Sequence, residues 1–317
     1  ADRVERLAYN ALPATWASPR GGDMWAHQYL QSVNQIKAIK AIPHVWPSDG
    51  EFAETYGISP NYGCCTANFN QGWPKLANAI IHTVEHPGHE GIAVVIWAPA
   101  SATTRFGHVD VETSYPFGDE AVVTVHAEQG THLYLRIPGW AADAEVPALG
   151  GRVPNGTMVT VPVPAGDSKF EVFFKPQIRI EAGGGNDQQQ VSFSVHRGAL
   201  MYSLPLGLNF TAVGTYIPDE APWGIPGHTD YRVLPTTAWA YALDADPQEP
   251  GASMSFESIG YEYPRAPFNH TLSPCVVHAV MRPLTSPAWG EYMNGAAPVP
   301  ASPTCTGVTE SICGQPQ

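Results

Sequence analysis

Ile92-Ala93-Val94-Val95-Ile96-Trp97-Ala98-Pro99 is the longest apolar run of the chain, and it marks a change of texture. Eight residues fall far short of the ~20 needed to cross a bilayer. A short run rich in β-branched side chains and closed by Pro reads instead as a buried strand. Downstream the pattern repeats. Val109–Thr113, Ala121–His126, His132–Ile137, Thr157–Val163, Lys169–Phe174, Val191–Val195 and Ala199–Leu204 are short β-rich runs separated by Gly, Pro, Asn and Asp. That spacing predicts antiparallel sandwiches rather than alternating βαβ units. No internal repeat is present. Past Thr211 the sequence is irregular, and its last 25 or so residues read as a loop or tail.

Upstream of Gly88 the texture is helical. Val4, Leu7, Ala8, Ala11 and Leu12 recur at helical spacing over residues 2–13. Gln71 to Glu85 reads as a second helix, with Leu76, Ala77, Ile80, Ile81 and Val84 on one side and Pro87 as its stop. Met24 to Ile36 reads as an extended stretch. Two helices cannot bury their own apolar faces, so residues 1–87 are expected to pack on helices outside this chain. The expected class is α+β multi-domain: a helical segment over 1–87, a first β-sandwich over 88–190, and a second β-sandwich with an irregular tail over 191–317. The chain starts without Met or signal peptide, and is read as a piece of something longer.

The balance of 16 basic to 29 acidic residues gives a net charge of −13. Nucleic acid and anionic membrane surfaces call for the opposite sign, so neither is an expected partner. Three sequons, Asn155-Gly-Thr157, Asn209-Phe-Thr211 and Asn269-His-Thr271, fall in turn-rich or strand-edge sequence. Cys275, Cys305 and Cys313 sit in a Pro/Ser/Thr-rich region that reads as a disulfide framework. Secretion, with N-linked sugar at Asn155, Asn209 and Asn269, is the expectation.

The chemistry is concentrated in Asn61-Tyr62-Gly63-Cys64-Cys65-Thr66-Ala67-Asn68, read as a Gly-containing turn before a helix. A thiolate near a helix N-terminus has a lowered pKa. Two adjacent thiolates can also share one soft metal such as Zn²⁺. A vicinal disulfide, two structural disulfides to distant partners, or inert buried thiols fit the same residues.

This element, followed by Trp73-Pro74-Lys75-Leu76, resembles the Cys-Cys-x-x-Asn element of glycoside hydrolase family 127, the β-L-arabinofuranosidase family. Arg6-Leu7-Ala8-Tyr9-Asn10-Ala11-Leu12, Thr113-Ser114-Tyr115-Pro116-Phe117, Leu133-Tyr134-Leu135-Arg136-Ile137-Pro138-Gly139-Trp140 and Arg197-Gly198-Ala199-Leu200 are similar to family stretches in the same order. The resemblance covers most of residues 1–205. It implies a retaining glycosidase built on an (α/α)₆ toroid followed by two β-sandwiches, with residues 1–87 as the end of the toroid. It implies Cys64 as nucleophile, Cys64 and Cys65 as zinc ligands, and Tyr29 as a contact to the sugar. It also implies an upstream Glu-x-Cys that completes the zinc site and an upstream acid/base Glu. No Glu-x-Cys occurs in this chain. The implied partners are a carbohydrate and the N-terminal portion of the same protein.

Two readings compete. One is a non-catalytic β-sandwich that binds carbohydrate or serves as structure. The other rests on His82-Thr83-Val84-Glu85-His86, which matches the H-x-x-E-H pattern of zinc peptidases. It needs a helix that carries His82 and His86 on one face. His86, His89 and Glu90 read as a solvated loop. Asp110, Glu112, Asp119 and Glu120 alternate as a solvated sheet face would.

Overall fold

The computed structural model describes residues 1–17, 26–32, 34–42, 50–57, 63–182, 193–214, 229–246, 248–260, 273–286, 289–297, 304–305 and 310–316. The chain divides into two compact units. The first comprises residues 1–10, 71–179 and 196–201; the second comprises 11–70, 180–195 and 202–317. This division differs from the expected limits at 87 and 190, because sequence-distant segments interleave.

The first unit holds two sheets. One has the order Thr157–Val163, Thr131–Ile137, Gly91–Val94, Ile81–Val84. The other runs Gly151–Arg152, Glu145–Val146, Gly166–Phe173, Glu120–Ala127, Gly107–Thr113, Ala100–Thr104. Period-2 alternation sets their faces. Val159, Val161 and Val163 point inward from one strand; Ala121, Val123 and Val125 do so from another. Each such valine stabilises the unit by roughly 1.5–3 kcal/mol relative to exposure. Trp97 and Phe174 are fully buried with an edge-to-face ring contact at 5.0 Å. Gly91–Val94 pairs parallel with Thr131–Ile137, a departure from an all-antiparallel sandwich. Gly91 is required there, because a Cβ would stand 2.1 Å from the His132 carbonyl oxygen.

The expected helix Gln71–Glu85 is corrected. A helix spans only Gly72–Ala77, and Ile81–Val84 is a strand paired with Gly91–Val94. The β-branched Ile81, Thr83 and Val84 fit that pleated edge better than a helix. The first helix runs from Asp2 through a π turn at Leu7–Ala11 to Ala14.

Within the first unit, Glu5, Ala8 and Tyr9 form the buried face of this helix, while Val4 and Leu7 are 46% and 61% exposed. The expected dependence on helices from outside the chain is corrected for that face, which packs against its own unit. Its Glu5 carboxylate accepts hydrogen bonds from the Trp97 backbone N–H at 2.8 Å and the Tyr115 hydroxyl at 2.7 Å, and pairs with the buried Arg136 guanidinium. Burial, then the Glu5 charge, holds the Tyr115 hydroxyl well above its usual range, so it stays a donor.

In the second unit the long strand Cys275–Ser286 is the spine. It pairs antiparallel with Tyr241–Leu243, Met254–Ser258, Thr304–Cys305 and Glu310–Pro316. The expected loop or tail at the C-terminus is therefore corrected: Glu310–Pro316 is a strand, which fills a backbone edge left open by Cys275–Ser286. Cys275 is buried, with Sγ 3.3 Å from the Tyr202 hydroxyl. Backbone bridges join His27 to Gly57, and tie Gln35 to Gly295, Ala38 to Val233 and Tyr56 to Tyr231 within this unit. The described residues are β-rich with short helices and do not assemble an (α/α)₆ toroid. Among them no helix is long and apolar enough to cross a membrane.

Candidate thiol site

The site lies wholly within the second unit. Trp16–Ala17 pairs antiparallel with Ala26–His27, which brings Trp16 beside His27 with rings 5.1 Å apart. Trp16 also meets Phe69 edge-to-face at 5.2 Å. Phe69 ends the helix Gly63–Phe69, so these aromatic contacts hold the helix that carries both cysteines. The expected turn at Cys64 and Cys65 is thus corrected to the start of a short helix. Asn68 closes it, as its Nδ2 donates to the Cys64 carbonyl at 2.7 Å.

Cys64 is exposed and Cys65 is half-buried; their sulfurs stand 3.6 Å apart without a disulfide. The structure brings the Tyr29 side chain into hydrogen-bond contact with the Cys65 thiol. Burial pushes the Cys65 thiol up, the hydrogen bond and charge of Cys64 add to this, and Tyr29 opposes them. The lowered pKa expected for a thiol at this place is therefore corrected for Cys65. Two thiols this close cannot both ionise cheaply without a cation.

Zinc fits the pair as half of a site. Two sulfurs on one tetrahedral zinc stand about 3.8 Å apart, near the observed separation. Among the described residues no group of three His, Cys, Asp or Glu side chains stands at metal-ligand spacing. The two further ligands implied by the family resemblance therefore have no counterpart there.

The peptidase reading fails on geometry. His82 lies on the strand Ile81–Val84 and His86 in a bend beyond its end, so the two are not neighbours one helical turn apart as the pattern requires. His82 Nε2 sits 3.2 Å from the Ala79 carbonyl oxygen, His86 Nδ1 sits 3.2 Å from that of Pro87, and Glu85 pairs with Arg105 at 3.5 Å. Asp110 lies on a sheet face beside Ser101 and His108, and the Ser101 hydrogen bond leads in holding its carboxyl below the usual range. Asp119 is gripped by both terminal nitrogens of Arg197, at 2.9 and 2.6 Å.

Asn155 and Asn209 are exposed, the first in a loop and the second on the strand Leu208–Ala212. Asn269 and the side chains of Cys305 and Cys313 lie outside the described residues. Sequence reasoning missed Trp16, His27 and Phe69. Their only sequence signal is aromatic character, and their meeting depends on strand pairing between segments far apart from the cysteines.

No family model matches the chain, and no curated protein matches it. Among solved structures, one similar chain is a glycoside hydrolase, with TM-score 0.53 and 14% identity, over 99% of this chain and 45% of that one. Another is a family 127 β-L-arabinofuranosidase from Geobacillus stearothermophilus T6, with TM-score 0.51 and 15% identity, over 99% of this chain and 43% of that one. The chain spans less than half the length of either structure. At such identities the likeness is one of fold, and the fold of this chain is similar to that of part of a glycoside hydrolase family 127 structure.

Proposed function

We propose that this chain is part of a secreted retaining glycoside hydrolase in which Cys64 is the nucleophile. One observation carries the reading: two adjacent, unbridged thiols 3.6 Å apart, with Tyr29 on the second, lie in a chain with a glycoside hydrolase fold. Retention takes two displacements. In the first, Cys64 Sγ attacks the anomeric carbon, the glycosidic C–O bond breaks, and a carboxylic acid outside this chain protonates the leaving oxygen. In the second, water attacks the same carbon from the opposite face, the same group outside this chain, now a carboxylate, takes its proton, and Cys64 leaves as thiolate.

Cys64 and Cys65 supply two ligands to one Zn²⁺, and residues of the N-terminal portion supply the others. Zinc held by the pair would supply the positive charge that favours thiolate, against the burial that raises the Cys65 thiol. Cys65 then holds Cys64 in place, and Tyr29 orients the sugar and keeps its hydroxyl on Cys65. The helix Gly63–Phe69 that carries the two cysteines contributes to an (α/α)₆ toroid in the whole protein. The substrate class is a neutral glycan, with β-L-arabinofuranosides first to be tried because a similar structure is a β-L-arabinofuranosidase. The exposed Asn155 and Asn209 accept N-linked sugar in a secretory pathway.

The test uses the whole protein with a panel of nitrophenyl glycosides. Cys64→Ser is expected to cut turnover by several orders of magnitude at unchanged melting temperature, since a hydroxyl is a far weaker nucleophile at neutral pH. Cys65→Ser is expected to lower zinc content. Sugar binding without turnover in the unaltered protein would instead favour a non-catalytic module.

A further inference from the structure

Glu54 is 2% exposed, and the thiol chemistry has no use for it. Burying a carboxylate costs several kcal/mol unless donors replace its water. Two donors do so here. Ser32 Oγ donates to Oε1, and Asn294 Nδ2 donates to Oε2 at 2.8 Å. Asn294, itself fully buried, also donates to the Ile39 carbonyl at 2.9 Å and accepts from the Ile36 backbone N–H at 2.8 Å. The carboxylate is thus tied to the body of the second unit on one side and to Ser32 on the other.

The Glu54 backbone holds the same segment a second time. Gln28 Nε2 donates to its carbonyl at 2.6 Å, and the Leu30 N–H donates to the neighbouring Ala53 carbonyl at 2.8 Å. Gln28, Leu30 and Ser32 bracket Tyr29, whose side chain meets Cys65. We infer that Glu54 is a positioning residue: it fixes residues 28–32 so that Tyr29 is presented to Cys65. The inference rests on the reading of Cys64 and Cys65 as the reactive pair. A carboxylate suits the task because both of its partners are donors. An amide there gives up the charge assistance at both contacts, because its oxygen accepts from Asn294 as a neutral group and its N–H₂ forces the Ser32 hydroxyl to turn and accept.

The test compares Glu54→Gln, Tyr29→Phe and the double variant in the whole protein, well below melting. Each single change is expected to raise KM about tenfold with kcat little changed, the size of one lost hydrogen bond, and the double variant is expected to be no worse than Tyr29→Phe. Independent effects that multiply, or a Glu54→Gln protein that melts lower with unaltered KM, would overturn the inference. Ser32→Ala removes the same link with less threat to folding and is expected to act in the same direction.

A second readout needs no activity, so it separates this inference from the proposed function. Tyr29→Cys combined with Cys64→Ser leaves thiols at positions 29 and 65 set apart by about the length of the tyrosine ring, and the cross-link that a short bis-maleimide forms between them is followed by mass spectrometry. Adding Glu54→Gln is expected to slow its formation about tenfold, because the two thiols lose their preset proximity. An unchanged rate would overturn the inference even in an active enzyme.

Discussion

The two units bury different things. The first is closed by Val, Ile, Leu, Trp and Phe in period-2 alternation, and it buries one ion pair, Glu5 with Arg136, inside a satisfied hydrogen-bond cluster. In the second, Gln28, Glu54, Thr55 and Asn294 are buried, and Trp16 joins His27 to Phe69 on the helix that carries two exposed or half-exposed thiols. Apolar alternation specifies a scaffold through area alone. Buried polar groups specify directions, because each must meet a partner of the right kind. Chemistry that needs a sulfur and a hydroxyl at fixed separation belongs with the second kind of interior.

The largest effect is expected in the first unit. Arg136→Met leaves the Glu5 carboxylate buried without its cation and should cost about 3–5 kcal/mol of stability. The double change Glu5→Gln with Arg136→Met should recover much of that, because no buried charge then remains. Chemical denaturation of the three proteins checks it, and a loss under 1 kcal/mol in the single variant would show that the pair contributes little.

The second unit should answer to acid. Burial holds the His27 imidazole below its ordinary value near 6.5, so on acidification the unfolded chain takes up that proton first. The stability tied to a neutral His27 is full above about pH 6.5 and declines as the pH falls. Melting temperature followed from pH 7.5 to 5.5 should therefore drop less in His27→Gln than in the unaltered protein. Parallel curves would remove His27 as the cause.

The smallest effect separates the chemistry of the units. His82→Ala, on a strand edge of the first unit, should leave turnover within a factor of two, as surface changes away from a site do. A large loss of turnover would return the His82–His86 pattern to consideration.

Legibility in the sequence follows the same divide. Thr157–Val163 was readable to the residue, because alternate valines state both the strand and its inward face. Ile81–Val84 was not, since Leu76, Ile80 and Val84 also satisfy helical spacing and only the pairing with Gly91–Val94 decides between the two. Glu310–Pro316 carries Gly314 and Pro316, and it is a strand because Cys275–Ser286 offers it an edge. At the site, Cys64 and Cys65 were visible because adjacent thiols are rare chemistry. Trp16, His27 and Glu54 were not, because their roles lie in contacts between segments that no local pattern records.

The central claim is that Cys64 forms a covalent bond to sugar. The direct measurement is peptide mass mapping of the whole protein, acid-quenched during turnover of an activated glycoside. A mass gain of one glycosyl residue on the peptide that carries Cys64, absent in Cys64→Ser, is the predicted result. Sustained turnover by Cys64→Ser, with no sugar on that peptide in the unaltered protein, would contradict the account.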